Sequence, residues 1–273
     1  FSEPVSVIAT IAEQPVNIWQ DAVNIELGKA TQTSGQAALD SLDAAVNDLK
    51  DKKVDALVTA PISKHAMQLA GFPHVGHTEY LTKTDGASGA LMLMVSREMK
   101  MGLVTAHMPI KSVPDQIHKE LITKRIGQME DALKRDFAMT RPTIAVMGLN
   151  PHAGDEGLIG KEDDELVRPA IIEAKKAGSL VMGPFSADGF FGSGQYRKFD
   201  GILAMYHDQG LIPFKALSFG DGVNYSAGLS FVRTSPDHGT AFEIAGKNEA
   251  NEGSMVQAIF RAIDIVRARE KAE

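Results

Sequence analysis

The amino-acid sequence predicts an α/β protein: two interwoven α/β/α domains on a largely parallel, mixed sheet. From Val54 onward, short β-branched or apolar runs alternate with amphipathic segments, the rhythm of strands joined by crossover helices. No low-complexity linker, fixed-period repeat or long charge block divides the chain, so its domains interweave rather than follow in series. A length of 273 residues suits one large α/β domain or two modest ones. The approximate division is residues 1–76 with 221–273 against residues 77–220.

Taken in order, Phe1–Gln20 is β-branched and extended and reads as starting mid-domain, which places the native N-terminus upstream. Ser34 is the expected cap of a helix through Leu49, with Leu39, Leu42, Val46 and Leu49 on one face. Strands follow at Val54–Thr59, Leu91–Val95, Met101–Thr105, Thr143–Met147, Ile202–Met205 and Leu229–Val232. Helices are expected at Pro114–Asp136, Glu162–Ala177, Gly239–Ala245 and Gly253–Lys271, the second opening on acidic residues that suit a helix N-terminus. A shorter helix follows Gly76, with Thr78 as its cap.

Composition narrows function. Hydrophobic residues make up 44% and charged residues 23%, ordinary for a soluble globular chain. With 28 Lys+Arg against 35 Asp+Glu, the net charge of -7 supplies no broad positive field for nucleic acid or an anionic membrane. An anionic ligand must therefore meet a local basic cluster. The absence of cysteine excludes disulfides, thiolate nucleophiles, iron–sulfur ligation and Cys-containing zinc sites. The longest apolar stretch, Ala90–Val95, is far short of the roughly 20 residues of a membrane span, and a cytoplasmic location is expected.

Three expected strands run out into histidines: His107, His152 and His207. Open parallel sheets bind ligands beyond the carboxyl ends of their strands, so these imidazoles are candidates to converge on a transition ion with positions left open for substrate. Taken singly, each would more often be a loop histidine satisfied by a carbonyl. His74 and His77 form an H-x-x-H pair, but Pro73 and Gly76 argue against one helix presenting both, and His74 is not counted as a ligand. The Gly76-His77-Thr78-Glu79 turn offers a hydroxyl, an imidazole and free N–H groups to an anion. Lys215, Asn224 and Arg233 are isolated polar residues in apolar and glycine-rich sequence, suited to a phosphorylated or carboxylated metabolite. Gly192-Ser193-Gly194 lacks the third glycine of the dinucleotide fingerprint, and neither a P-loop nor a G-x-S-x-G elbow is present.

Five segments together carry a resemblance. They are Val58-Thr59-Ala60-Pro61-Ile62-Ser63-Lys64, Gly76-His77-Thr78-Glu79, Leu149-Asn150-Pro151-His152-Ala153-Gly154, Tyr206-His207-Asp208-Gln209-Gly210 and Arg233-Thr234-Ser235-Pro236-Asp237-His238-Gly239-Thr240-Ala241. In order and spacing the chain resembles the 4-hydroxythreonine-4-phosphate dehydrogenases of pyridoxal phosphate biosynthesis. That resemblance implies a fold like isocitrate and isopropylmalate dehydrogenases and a homodimer whose subunits both complete the active site. It implies NAD or NADP, held by residues the sequence does not identify. It also implies a divalent metal (zinc, cobalt or magnesium) on His107, His152 and His207, and substrate contacts at His77, Thr78, Lys215, Asn224 and Arg233. A Gly-Asp-Pro-x-Gly-Ile-Gly-Pro-Glu-like segment that the family carries some tens of residues earlier is not in this chain.

The implied reaction is oxidation of 4-phosphohydroxy-L-threonine with decarboxylation to 3-amino-2-oxopropyl phosphate, Lys215 serving as proton-transfer group or charge partner. Related dehydrogenases of threonate or erythronate 4-phosphate would share these residues. A metal-dependent hydrolase would also suit three histidines with an open position, and a non-catalytic derivative is the bland alternative.

Overall fold

The computed structural model describes residues 8–11, 14–17, 23–74, 76–218 and 220–272. Its strands are β1 (Ile8–Ile11), β2 (Gln14–Asn17), β3 (Ala56–Val58), β4 (Leu91–Val95), β5 (Lys100–Leu103), β6 (Thr143–Met147), β7 (Leu180–Phe185), β8 (Gly201–Ala204), β9 (Val223–Ala227) and β10 (Val232–Pro236). Its α-helices are α1 (Gln32–Lys50), α2 (Lys64–Leu69), α3 (His77–Asp85), α4 (Val113–Gln116), α5 (Lys119–Arg135), α6 (Arg168–Lys176), α7 (Ala187–Gly192), α8 (His207–Ser218) and α9 (Gly253–Ala272). β1 and β2 pair as an antiparallel hairpin, and the other strands form one sheet in the order β3-β10-β9-β4-β5-β8-β6-β7. Pairing is parallel at β10/β3, β5/β8, β6/β8 and β6/β7 and antiparallel at β10/β9, β4/β9 and β4/β5. The expected mixed, largely parallel α/β sheet is what forms.

Register decides which side chains share a face. Leu57 lies opposite Arg233, Ser235 opposite Asn224, and Ser226 and Asn224 opposite Met92 and Met94. The alternation of a strand therefore puts Asn224, Ser226, Arg233 and Ser235 on one face. The opposite face is apolar: Leu91, Leu93, Tyr225 and Val232 pack with Ile126 and Met129 of α5, Ile171 of α6 and Ile265 of α9. On the first face, Met94, Met101 and Met147 pack under Phe190 of α7 and Leu211 and Phe214 of α8, while Leu57 packs with Leu42 and Val46 of α1, Met67 of α2 and Leu81 of α3. The polar stripe of β9 and β10 lies between those two separate clusters, and the gap between their helices over it is the candidate cleft. The wall formed by α1 and α2 depends on close approach: a Cβ at Gly35 would lie 1.9 Å from the Ala66 carbonyl oxygen.

β4, β6 and α9 form where periodicity puts them, α9 gaining Ala272 at its end. Several other expectations are corrected. Thr31, not Ser34, caps α1; Ser34 is the reciprocal partner of a capping box, its hydroxyl accepting from the Thr31 N–H at 3.1 Å. Gly76, not Thr78, caps α3. The helix expected over Pro114–Asp136 breaks at Ile117 and His118, both extended, and only α5 is long. A π-turn at Asp163–Val167 precedes α6. The strand expected at Val54–Thr59 shrinks to β3, and that at Met101–Thr105 becomes β5, which begins one residue earlier and ends two residues earlier. β8 begins and ends one residue earlier, and the last strand begins at Val232 instead of ending there. Gly239–Ala245 holds only a 3₁₀ turn at Phe242–Ile244, since Ala241 before it is left-handed. Much of the extended reading of Phe1–Gln20 lies outside the described residues.

Opposite the cleft, one buried carboxylate ties three elements. Asp136, at the end of α5, accepts from Arg135 Nε at 2.8 Å, Arg269 Nε of α9 at 2.7 Å and the Tyr225 hydroxyl of β9 at 2.6 Å. Burial and the adjacent carboxylate push the Tyr225 phenol well above its ordinary pKa, so it stays a donor. Removing the carboxylate would leave guanidinium and phenol donors unpaired. Asp136→Ala is expected to destabilise the chain by about 3–5 kcal/mol, read as a fall in the urea midpoint with an unchanged slope.

Candidate active site

Arg233 is a β10 residue whose register turns it into the cleft, and it is only 3% exposed. Its Nη2 donates to the Thr59 hydroxyl at 2.7 Å and its Nη1 to the Ser226 hydroxyl at 3.2 Å. Nη2 also lies 3.4 Å from His77 Nδ1, at the first residue of α3. Its Nε has no hydrogen-bond partner among the described residues. No carboxylate forms an ion pair with it there; Glu79, in the first turn of α3, acts on its charge only from a distance. Burial draws the guanidinium down to about 10, and burial followed by the neighbouring Arg233 charge draws His77 down to about 4. The cleft thus holds a desolvated cation beside a neutral imidazole, with a donor to spare. That is the electrostatic complement of an anion.

Beyond the carboxyl ends of β5 and β8 stand His107 and His207. The β5/β8 ladder continues past both strands, with Thr105 N–H and hydroxyl both donating to the Met205 carbonyl, at 3.1 and 2.8 Å. The two imidazoles end with their ring centres 5.8 Å apart. His207 Nδ1 lies 2.7 Å from the Asp208 carboxylate, which leaves Nε2 as the free nitrogen. Burial lowers the His107 pKa, and the charges of Lys64, at the start of α2, and His207 lower it further against a contrary pull from Glu79.

His152 stands apart from that pair. It is exposed, on a turn whose backbone is left-handed from His152 to Glu156, and it acts electrostatically on Asp188 of α7. Among the described residues of one chain, no three His, Cys, Asp or Glu side chains converge with metal-ligand geometry. Lys215 and Asn224 lie at the other end of the cleft. α8 runs from His207 back along the sheet, and Lys215, about 12 Å along its axis, donates from Nζ to the Asp237 carbonyl at 3.3 Å. Asn224 is level with Ser235 on the same polar face. Thr78 follows His77 in the first turn of α3, and His74 packs edge-on against Phe72 and Tyr80.

A cleft with an unpaired buried guanidinium, an imidazole pair at one end and a lysine at the other can be set beside known proteins. The family model described as pyridoxal phosphate biosynthetic protein PdxA matches residues 4–262. The chain belongs to this family. It is 48% identical over 257 residues to a protein of Bacteroides thetaiotaomicron named 4-hydroxythreonine-4-phosphate dehydrogenase, covering 94% of this chain and 71% of that one. The crystal structure of 4-hydroxythreonine-4-phosphate dehydrogenase from Klebsiella pneumoniae is similar at a TM-score of 0.77 and 37% identity, over 89% of this chain and 72% of that one. A terephthalate 1,2-cis-dihydrodiol dehydrogenase from Burkholderia xenovorans LB400 is similar at 0.64 and 26% identity, over 87% and 76%. These relatives of the PdxA-family chain are all named dehydrogenases, and among its described residues no helix is long and apolar enough to cross a membrane.

Part of the cation site expected in this PdxA-family chain fits the side chains present. Two imidazoles each about 2.1 Å from one cation have ring centres roughly 5–6 Å apart, and His107 and His207 meet that condition. The shift of His107 toward its neutral form also favours ligation. Four residues near the site carry no signal of their own in the sequence: Thr59, Lys64, Glu79 and Ser226. Three of them lie inside the resemblance-bearing segments, but only the fold shows that Thr59 and Ser226 hold Arg233 and that Lys64 and Glu79 act on His107.

Arg233→Met removes a cation that no carboxylate balances, so the chain should be at least as stable while KM for a phosphorylated acid rises about 10–100-fold; thermal unfolding and steady-state kinetics read the two effects. His77 protonates near pH 6.5 when unfolded but only near 4 when folded. Between those values the unfolded chain binds more protons, so stability is greatest above about pH 6.5 and falls with acid toward 4. The loss is on the order of 1–2 kcal/mol after allowance for partial exposure, and His77→Gln should flatten it in urea midpoints measured at several pH values.

Proposed function

We propose that the chain oxidises the secondary hydroxyl of 4-phosphohydroxy-L-threonine and releases the carboxylate as carbon dioxide, giving 3-amino-2-oxopropyl phosphate in pyridoxal phosphate biosynthesis. The observation that supports it most is Arg233: a buried guanidinium with an idle donor and no paired carboxylate calls for an anionic ligand, and this substrate is anionic at both ends. Family membership and the names of the relatives point to the same substrate.

The hydroxyl hydrogen leaves as a proton and the carbinol hydrogen as a hydride to NAD or NADP. The bond to the carboxylate then breaks, carbon dioxide departs, and the carbon left with the electron pair takes up a proton. When bound, a divalent cation such as zinc, cobalt or magnesium supplies Lewis acidity toward the substrate hydroxyl and the enolate-like anion. In this reading His107 and His207 hold the cation together with His152. Arg233, His77 and the Thr78 turn fix the anionic ends. Lys215, beside Asn224, is the proton-transfer group or charge partner.

A homodimer is part of the same reading. His152 is exposed on its own turn, next to the exposed apolar side chains Leu158 and Ile159, a surface suited to a second copy that completes the site. A second substrate reading rests on the likeness to the dihydrodiol dehydrogenase, named for an alcohol without phosphate.

The deciding assay follows reduced-nicotinamide absorbance with added divalent metal. Its substrates are 4-phosphohydroxy-L-threonine, threonate and erythronate 4-phosphates, and an unphosphorylated cis-dihydrodiol. Fastest turnover on the first is expected. Faster turnover on another would reassign the substrate, and phosphate release without nicotinamide reduction would replace the reading with hydrolysis.

A further inference from the structure

The turn that carries His152 is costly for the chain to hold. Its backbone is left-handed at His152, Ala153, Gly154, Asp155 and Glu156, with φ of 52°, 52°, 83°, 44° and 56°. Only one of those residues is glycine, and L-residues disfavour a left-handed run at every step. Something outside the turn must over-determine it.

Two side chains do so. Asp163, fully buried, receives the Leu149 N–H at 2.7 Å and the Asn150 N–H at 3.0 Å, one on each carboxylate oxygen. An ordinary capping carboxylate would bind N–H groups of the helix it begins. This one opens the Asp163–Val167 turn yet spends both oxygens on residues well upstream, at the entrance to the His152 turn. The packing leaves little slack, since a Cβ on Gly148 would lie 2.9 Å from Ala153 Cα and 3.0 Å from the Asp163 carboxylate.

Gln209 makes the second tie. Past Val146 and Leu203 the last paired residues of β6 and β8 are behind, and the two strands lead to His152 and His207 respectively. There the Gln209 carboxamide is inserted between them. Its oxygen accepts from the Met205 N–H at 2.7 Å, and its nitrogen donates to the Gly148 carbonyl at 2.6 Å. A side-chain amide thus stands in for one peptide rung at the point where the strands part.

We propose that Asp163 and Gln209 are positioning residues, Asp163 holding the left-handed His152 turn and Gln209 fixing its place relative to the His207 turn. Neither side chain forms a hydrogen bond with the imidazoles. They set where His152 can be presented, which on the proposed function makes them determinants of cation affinity. The inference rests on that function only for its effect on the cation; the restraint on the turn stands on the hydrogen bonds alone.

The test uses the full chain and two near-isosteric variants. Asp163→Asn keeps the shape but turns one acceptor into a donor facing an N–H. Gln209→Glu keeps the acceptor for Met205 and sets an oxygen against the Gly148 carbonyl. Amide hydrogen exchange should rise over residues 149–157 in each, with β6 protected as before. Cobalt(II) affinity should fall about 10–100-fold with an altered visible spectrum, while the thermal midpoint of Gln209→Glu stays close to that of the parent. Adding Ala153→Gly, which suits the left-handed backbone, should recover part of the Asp163→Asn loss. Unchanged exchange over 149–157 in Gln209→Glu would overturn the inference even if Asp163→Asn does not fold, as would cobalt affinity within about twofold of the parent in both variants. Failure of the parent chain to bind cobalt(II) would instead overturn the metal reading, with the exchange data still deciding whether the turn is restrained.

Discussion

A positive charge buried with no fixed counterion among the described residues is the constraint around which the cleft is organised. Desolvating a guanidinium is expensive, and a protein selected for stability alone would pair Arg233 with a carboxylate or replace it. Here it is surrounded by neutral groups: two hydroxyls, from Thr59 and Ser226, and an imidazole that its own charge helps to keep unprotonated. Glu79 is near enough to favour the cation but not to neutralise it. The folded chain therefore carries a desolvated charge that the anionic ligand of the proposed function would offset, and the stability supplied on the opposite face by Asp136, Tyr225 and Arg269 makes that charge tolerable.

The mixed direction of the sheet explains the length of the site. β4 and β9 interrupt the parallel run, so the polar stripe of β9 and β10 sits beside strands that lead to the histidines. α8 spans the gap, carrying His207 at its first residue and Lys215 two turns later. One helix thereby fixes the spacing between the histidine end and the lysine end, with Arg233 on the floor beside it. The substrate of the proposed function, a small acid bearing a second anionic group several bonds away, matches that layout. The match is one of charge placement along a rigid element, which keeps its spacing better than a loop would.

The sequence made the class of fold, the histidines at strand ends and the isolated cations visible. Strong periodicity was enough for β4, β6 and α9. It failed where backbone chemistry contradicts the element that forms: β7 contains Gly183-Pro184 and α8 contains Gly210 and Pro213, all breakers by local rules but accommodated by packing. The helix expected at Gly239–Ala245 was periodic but could not continue through a left-handed Ala241. The hydroxyl partners of Arg233 were beyond local reading because pairing across the sheet brings Thr59 and Ser226 together from distant parts of the chain. Asp163 looked like one residue of an acidic helix start, and only burial and its two upstream bonds distinguish it from Asp164 beside it.

The contrast between His107 with His207 and His152 has a consequence for assembly. The first two are held by a ladder that continues beyond the strands, so their spacing is as fixed as the sheet itself. His152 is equally fixed to its own strand, but it faces outward on a turn flanked by exposed Leu158 and Ile159. A chain that needed all three imidazoles on one internal cation would gain nothing from stiffening the third in an outward pose. A chain that presents one rigid ligand outward and keeps two in its own cleft becomes self-complementary, because two copies related by a two-fold axis can each give what the other lacks. In the proposed homodimer, rigidity at the His152 turn is a property of the interface as much as of the site, and on that reading loosening it weakens subunit association and cation binding together.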